Sequence, residues 1–318
     1  MARNWIIRNR RVLCLLLLFS FLIHSVNAQS DFDAFLQPSP KFNNARYSGV
    51  LIGTSLGYSI AMSVLYKTWY KKFPKSKFHF FNDNPEWFQM DKLGHAATAY
   101  NVGIGYYDLF RWAGQNNQQA SYGGAAVAML FLTSIELFDG FSEGWGFSWG
   151  DMTANTAGTA LFAVQQLAYG EQKFSLKIGW RKSFYSSYNP GLLGETGSQK
   201  LLKDYNSQQI WLSCNIASVF PVGKDFPQWL SIAAGQGVSG LIGGRVNPSL
   251  TDQNGNPVQF ERYRQWYLGA DVDFTRVPVN VNGISTILPL VNIFHLPLPS
   301  IEYSRVHKLR FNPFIVRN

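Results

Sequence analysis

Cysteine is nearly absent from the 318 residues: the chain holds two, Cys14 and Cys214. Cys14 falls in an apolar run near the N-terminus, without the small residues before it that a lipid-attachment site needs. If that run is removed as a leader, one thiol remains, so no intramolecular disulfide can form and a disulfide-stapled secreted scaffold is excluded. Charge is scarce too. Charged residues make up 15% of the chain against 16% aromatic and 46% hydrophobic, a balance that excludes a disordered or nucleic-acid-binding tail. A P-loop, CxxC pairs, GxSxG, HExxH and histidine-rich tracts are all missing, which removes the short signatures of several common chemistries. No internal repeat or low-complexity segment is evident.

What is present begins with an export signal. Arg3, Arg8, Arg10 and Arg11 precede an apolar run from Val12 to Ile23, and Val26, Asn27 and Ala28 offer small residues for cleavage before Gln29. Residues 1–28 therefore read as a signal peptide, and the mature chain is expected outside the cytoplasm. The run is short for a bilayer core of about 30 Å, which argues against an uncleaved anchor. With these residues go four arginines and no acid, so the formal charge falls from +9 to +5. The apparent basicity is partly targeting, and no nucleic-acid partner is expected.

After a linker at 29–46, two halves differ in period. Residues 47–170 read as four helices, roughly 47–70, 92–113, 121–139 and 151–169, each about 30 Å long. Gly49, Gly53 and Gly57 place a smooth strip on the first, where another helix could approach closely. Residues 171–318 alternate instead. Phe174, Leu176, Ile178 and Trp180 share one parity, Ser175, Lys177 and Arg181 the other, and similar runs lie at 210–219, 229–242, 265–276 and near 299–316. The fold class is α+β: a bundle of about four helices, then an antiparallel β region. That region is either a sheet packed on the helices or a small membrane barrel, although five or six visible strands fall short of the eight in the smallest such barrels.

Polar residues interrupt the helices in pairs at helical spacing: Asp91 and His95, Glu136 and Asp139, Asp151 and Asn155. Each pair shares a face. Short connections make successive helices antiparallel, so all three pairs should meet at one end of the bundle. Two chemistries would use such a cluster. One is a divalent metal held by His95, Glu136, Asp139 and Asp151. The other is acid–base catalysis with His95 as base and Asp91 or Asp151 orienting it. The alternative is structural: Asp91, Asp151 or Ser148 as helix caps, and His95, Glu136 and Asn155 as a buried network. Buried acids need a positive partner, which His95, Lys92 or a metal would supply. At the same end the loops "KKFPKSKFHFFNDNPEWFQ" (71–89) and "GFSEGWGFSWG" (140–150) set Lys71, Lys72, Lys75 and Lys77 beside many rings, as an interfacial or lid surface would.

The motifs "MDKLGHAATAY" at 90–100, "ELFD" at 136–139 and "SWGDMTANTAG" at 148–158, in this order, resemble the YfiM-like family of predicted periplasmic lipoproteins, whose biochemical function is uncharacterised. The likeness covers about 47–170, and the arrangement resembles the longer Bacteroidetes-type members with an added C-terminal region. A fainter similarity to VanZ-like membrane proteins falls on Asp91, Lys92, His95, Glu136, Asp139, Asp151, Asn155 and Gly158. Both imply a site at these positions and name no reaction. The expectation is an exported, membrane-associated envelope protein, in the outer membrane or at a periplasmic membrane surface, with membrane lipid or envelope components as partners. A structural or binding role is preferred over a metal-dependent or His-based hydrolase acting on a lipid or cell-wall component.

Overall fold

The computed structural model describes residues 34–71, 73–251, 257–279 and 284–313. The signal-peptide reading at 1–28, the start of the linker and Lys72 lie outside the described residues.

Four long helices form: α1 (Asn44–Leu65), continued by a π-helical turn at Tyr66–Tyr70, α2 (Met90–Trp112), α3 (Asn117–Gly140) and α4 (Trp149–Tyr169). Three of their starts follow from capping chemistry; α2 has no side-chain cap, and Asp91, expected as a cap, lies inside its first turn, as Asp151 does in α4. The Asn43 side chain accepts from the Arg46 amide, Asn116 and Gln119 form a reciprocal capping box, and Ser148 accepts from the Asp151 amide. Gly170 closes α4 in the left-handed region at φ 71°. Helices α2, α3 and α4 pack on one another through glycines. A methyl added at Gly124 would lie 2.3 Å from the Gly103 carbonyl oxygen, and one at Gly158 would lie 2.0 Å from that of Ala96. Helix α1 stands apart, with Val50 its one buried residue. Its Gly49, Gly53 and Gly57 strip meets nothing within 4 Å, so the close helix approach expected there is not made within the described residues.

Beyond α4 the strands are β1 (Phe174–Trp180), β2 (Gln208–Asn215), β3 (Leu230–Ser239), β4 (Leu250–Thr251), β5 (Pro257–Val258), β6 (Tyr263–Val272), β7 (Ser300–Ser304) and β8 (Lys308–Asn312). Six of them make one antiparallel sheet ordered β1-β2-β3-β6-β7-β8, and β4 pairs β5 in a separate hairpin. The α+β expectation holds in its sheet form. Leu176, Ile178 and Ile210 pack on Met90, Leu93 and Ala97 of α2, joining the sheet to the bundle.

The sheet is inverted relative to a soluble one. One row of paired residues runs Leu176, Leu212, Ala234, Leu268, Ile301, Phe311 across all six strands. Away from α2 this face is bare, with Leu268, Ile301 and Phe311 exposed. The opposite face carries Lys177, Ser213, Gln265, Asp271 and Glu302, all buried. Lys177 of β1 donates to Asp271 of β6 at 2.8 Å and to the Val272 carbonyl at 2.7 Å. In a flat sheet two intervening strands would hold β1 and β6 about 14 Å apart, so the sheet must curl tightly around its polar side. Ser213 donates to Asp271 at 2.6 Å and His295 Nδ1 lies 3.0 Å from it. Arg181 reaches Tyr267 and the Val238 carbonyl, and Gln265 donates to Glu302 at 2.7 Å. The interior is a hydrogen-bonded polar network, as burial of so many polar groups requires.

Candidate functional site

The site lies where α2 and α4 begin and α3 ends, the end at which the sequence places its three polar pairs. Its entry is unusual. Trp87, Phe88 and Gln89, just before α2, have φ of 48°, 50° and 66°, conformations that cost non-glycine residues about 1–2 kcal/mol each. The sheet side holds them: Trp87 donates its amide to the Gly244 carbonyl, Arg262 and Arg264 lie over the Phe88 ring, and Arg264 donates to Gln89. This sharp turn swings the preceding loop back over the bundle and brings Asp83 to the start of α2.

Lys92 is the hub. Its ammonium lies 2.6 Å from Asp83, 3.0 Å from Asp91 and 3.1 Å from Asp151. Burial pushes the Lys92 pKa down, but the three carboxylates outweigh it and hold the ammonium well above its ordinary value. The acids respond unequally. Burial raises Asp151, and its contact with Asp83 raises it further. Burial also raises Asp91, against the pull of Lys92. Asp83 ends below its ordinary value because hydrogen bonds from Asp151, Lys92 and Ser148 overcome its burial. The one contact thus shifts the two carboxyls in opposite directions. Ser148 serves the cluster twice, donating to Asp83 at 2.6 Å while it caps α4.

His95, one turn along α2, turns to a second set of groups. Its Nδ1 donates to Asn155 Oδ1 at 3.0 Å and lies 3.7 Å from Glu136 Oε1. Burial lowers its pKa to about 4, with the Asn155 bond opposing, so the imidazole is neutral. Its orienting partner is Asn155, whereas the sequence assigned that role to Asp91 or Asp151. Glu136 is fully buried; Oε2 accepts the Ser148 amide at 3.1 Å, while Oε1 has no hydrogen-bond partner. Asp91 Oδ1 and Asn155 Nδ2 are likewise unpartnered and buried. Gly158 sets the α2–α4 spacing that lets His95 and Asn155 meet.

Asp139 goes elsewhere. Its carboxylate accepts the Tyr70 hydroxyl at 2.7 Å, tying the end of α1 to the end of α3. One ligand atom each from His95, Glu136 and Asp151 lie within 4.8 Å of one another, and so do those of Asp83, Asp91 and Asp151. The second group surrounds the Lys92 ammonium. Asp83 and Tyr70 were not singled out in the sequence: Asp83 sits in an aperiodic loop, and Tyr70 looks like one ring among many. The two ring-rich loops cover this end together, bridged at Lys75–Ser142 and Phe80–Phe147. Phe73 meets Trp145 edge to face at 4.4 Å, and His79 Nε2 lies 2.7 Å from the Trp145 carbonyl.

These features define an α+β protein whose helical bundle carries a buried histidine, lysine and carboxylate cluster at one end and a polar-cored curled sheet at its side. Residues 79–167 match the model of the DUF2279 family, described as predicted periplasmic lipoprotein. The match takes in all three motifs with α2, α3 and most of α4, but neither α1 nor the sheet. That description supports an exported location in the cell envelope. No curated protein and no solved structure matches the chain.

Proposed function

We propose that the protein is a membrane-associated component of the cell envelope with a structural or binding role, and that lipid acyl chains cover its outer surface. One observation carries this reading: apolar and charged residues are exchanged between inside and outside. Lys177, Asp271 and Glu302 are buried, while Leu309 and Phe311 of the sheet are 71% and 66% exposed. The helices repeat the pattern, with Ile52, Leu56 and Ile60 of α1 and Leu130 of α3 open on their outer faces. In water so much exposed apolar surface would be costly, at about 25 cal/mol per Å² left uncovered. Asn44–Tyr70 and Asn117–Gly140 also have the length and hydropathy of membrane-crossing helices. At the loop-covered end Phe80, Phe141 and Trp149 are exposed near lysines, a composition suited to a headgroup region. Cell fractionation tests the reading. The chain should sediment with membranes, resist alkaline carbonate and dissolve in detergent, and a density gradient should then identify which membrane. Release of the whole population by osmotic shock without detergent would contradict it.

A further inference from the structure

We propose that His95, Glu136 and Asp151 form a binding site for one divalent transition-metal ion, with Asn155 positioning the imidazole. The argument stands apart from the membrane reading and begins with what Lys92 leaves undone. Four carboxylates stand around Lys92 and His95, those of Asp83, Asp91, Asp151 and Glu136. The Lys92 ammonium contacts the first three. Among the described residues the one basic group within 4 Å of the Glu136 carboxyl is the His95 imidazole, at 3.7 Å. Its Oε1 is unpartnered on a side chain with no solvent exposure, and it is aimed at the imidazole. A buried acceptor left open normally costs about 1–3 kcal/mol, so a native fold that keeps one implies something to fill it.

The donor set suits a metal. One imidazole nitrogen and two carboxylate oxygens are borderline-to-hard ligands of the kind that zinc and manganese take, and three protein ligands leave further positions free. The three ligand atoms lie within 4.8 Å of one another. In a tetrahedral site, ligands at about 2.0–2.2 Å from one ion lie about 3.3–3.6 Å apart, so the most widely spaced of the three atoms would have to draw in by up to about an ångström. His95 is already positioned: Nδ1 donates its proton to Asn155, the second-sphere anchoring that metal-bound imidazoles carry on their other nitrogen, which leaves Nε2 to take the ion. Its side chain is 19% exposed whereas that of Glu136 is not exposed at all, so the histidine offers the path by which an ion enters. Asp151 is shared between Lys92 and this position, which couples the two halves of the cluster.

The experiment uses the full mature chain without a histidine tag, purified in detergent, stripped with EDTA and titrated with Zn²⁺ and separately with Mn²⁺ by calorimetry. Bound metal is then counted by elemental analysis. Wild type should bind one equivalent of at least one of the two ions. His95→Ala and Glu136→Gln should each weaken that binding at least 100-fold, and Asn155→Ala by about 10–100-fold. Asp139→Asn, whose carboxylate faces Tyr70, should bind as wild type does. Glu136→Gln keeps the volume of the side chain and its contact with Ser148, so it remains informative if His95→Ala fails to fold. Less than 0.2 equivalents bound by wild type for both ions, or undiminished binding in a folded Glu136→Gln, would overturn the site. The cluster would then be a hydrogen-bonded network whose loss moves the melting temperature alone.

Discussion

Lys177→Met is expected to lower the stability of the protein in detergent by about 3–5 kcal/mol, the range for removing one partner of a buried ion pair. The Lys177 side chain is fully buried, and its ammonium lies 2.8 Å from Asp271, itself without solvent exposure. Methionine fills much of the same volume, so lost packing contributes little. What remains is a carboxylate with Ser213 and His295 for company and a Val272 carbonyl that has lost its donor. Adding Asp271→Leu to the same chain should recover part of the loss, because removing both charges also removes the desolvation cost. Denaturant unfolding followed by tryptophan fluorescence provides the measurement, Trp211 being stacked on His295 at the centre of the network. A single variant within about 0.5 kcal/mol of wild type would mean that water reaches Asp271, and hence that the sheet does not curl around a closed interior.

Gly158→Ala should be the most damaging single methyl addition in the bundle. The new carbon would sit 2.0 Å from the Ala96 carbonyl oxygen and 2.8 Å from the Ala96 Cα. These are backbone atoms, so no side chain can rotate away, and α4 must move from α2 by more than an ångström. Overpacking of this kind costs about 1–3 kcal/mol and sometimes more. The displacement falls on the residues that join the two helices, since Asn155 and Gly158 share a face of α4 while His95 adjoins Ala96. The His95–Asn155 hydrogen bond should therefore break, visible as a change in the imidazole NMR signals. Gly53→Ala on α1 is the control. Nothing lies within 4 Å of that position, and alanine favours helix over glycine by about 1 kcal/mol. It should be neutral or stabilising. Equal effects at the two positions would contradict the assigned helix crossing.

The convergence of the polar pairs was legible because it depends on two short-range rules: period 3.6 puts each pair on one face, and short loops reverse each helix. Those rules place His95, Glu136, Asp151 and Asn155 together, as found. They fail for Asp139. It lies three residues after Glu136 and less than a full turn on, so its carboxylate swings toward Tyr70, a partner 69 residues away in sequence. Asp83 was hidden for a different reason. Three successive left-handed residues bring it back over α2, and no pattern in Trp87-Phe88-Gln89 announces that conformation in residues other than glycine. The strands were legible as two-faced, but alternation is symmetric between its faces. Nothing in Leu176-Lys177-Ile178 says which parity points inward. Only the pairing of Lys177 with Asp271, which needs the curl of the whole sheet, makes the polar side the interior.

The most direct test of the account asks what touches the outer face of the sheet. A nitroxide is attached at Leu268→Cys, and in a second chain at Phe311→Cys, each in a Cys214→Ser background and reconstituted into phospholipid vesicles. Relaxation enhancement by oxygen, which concentrates among acyl chains, is compared with that by a water-soluble nickel chelate. At both positions oxygen should relax the label strongly and the chelate should not. Strong relaxation by the nickel chelate at both positions would place this face in water and contradict the inverted architecture.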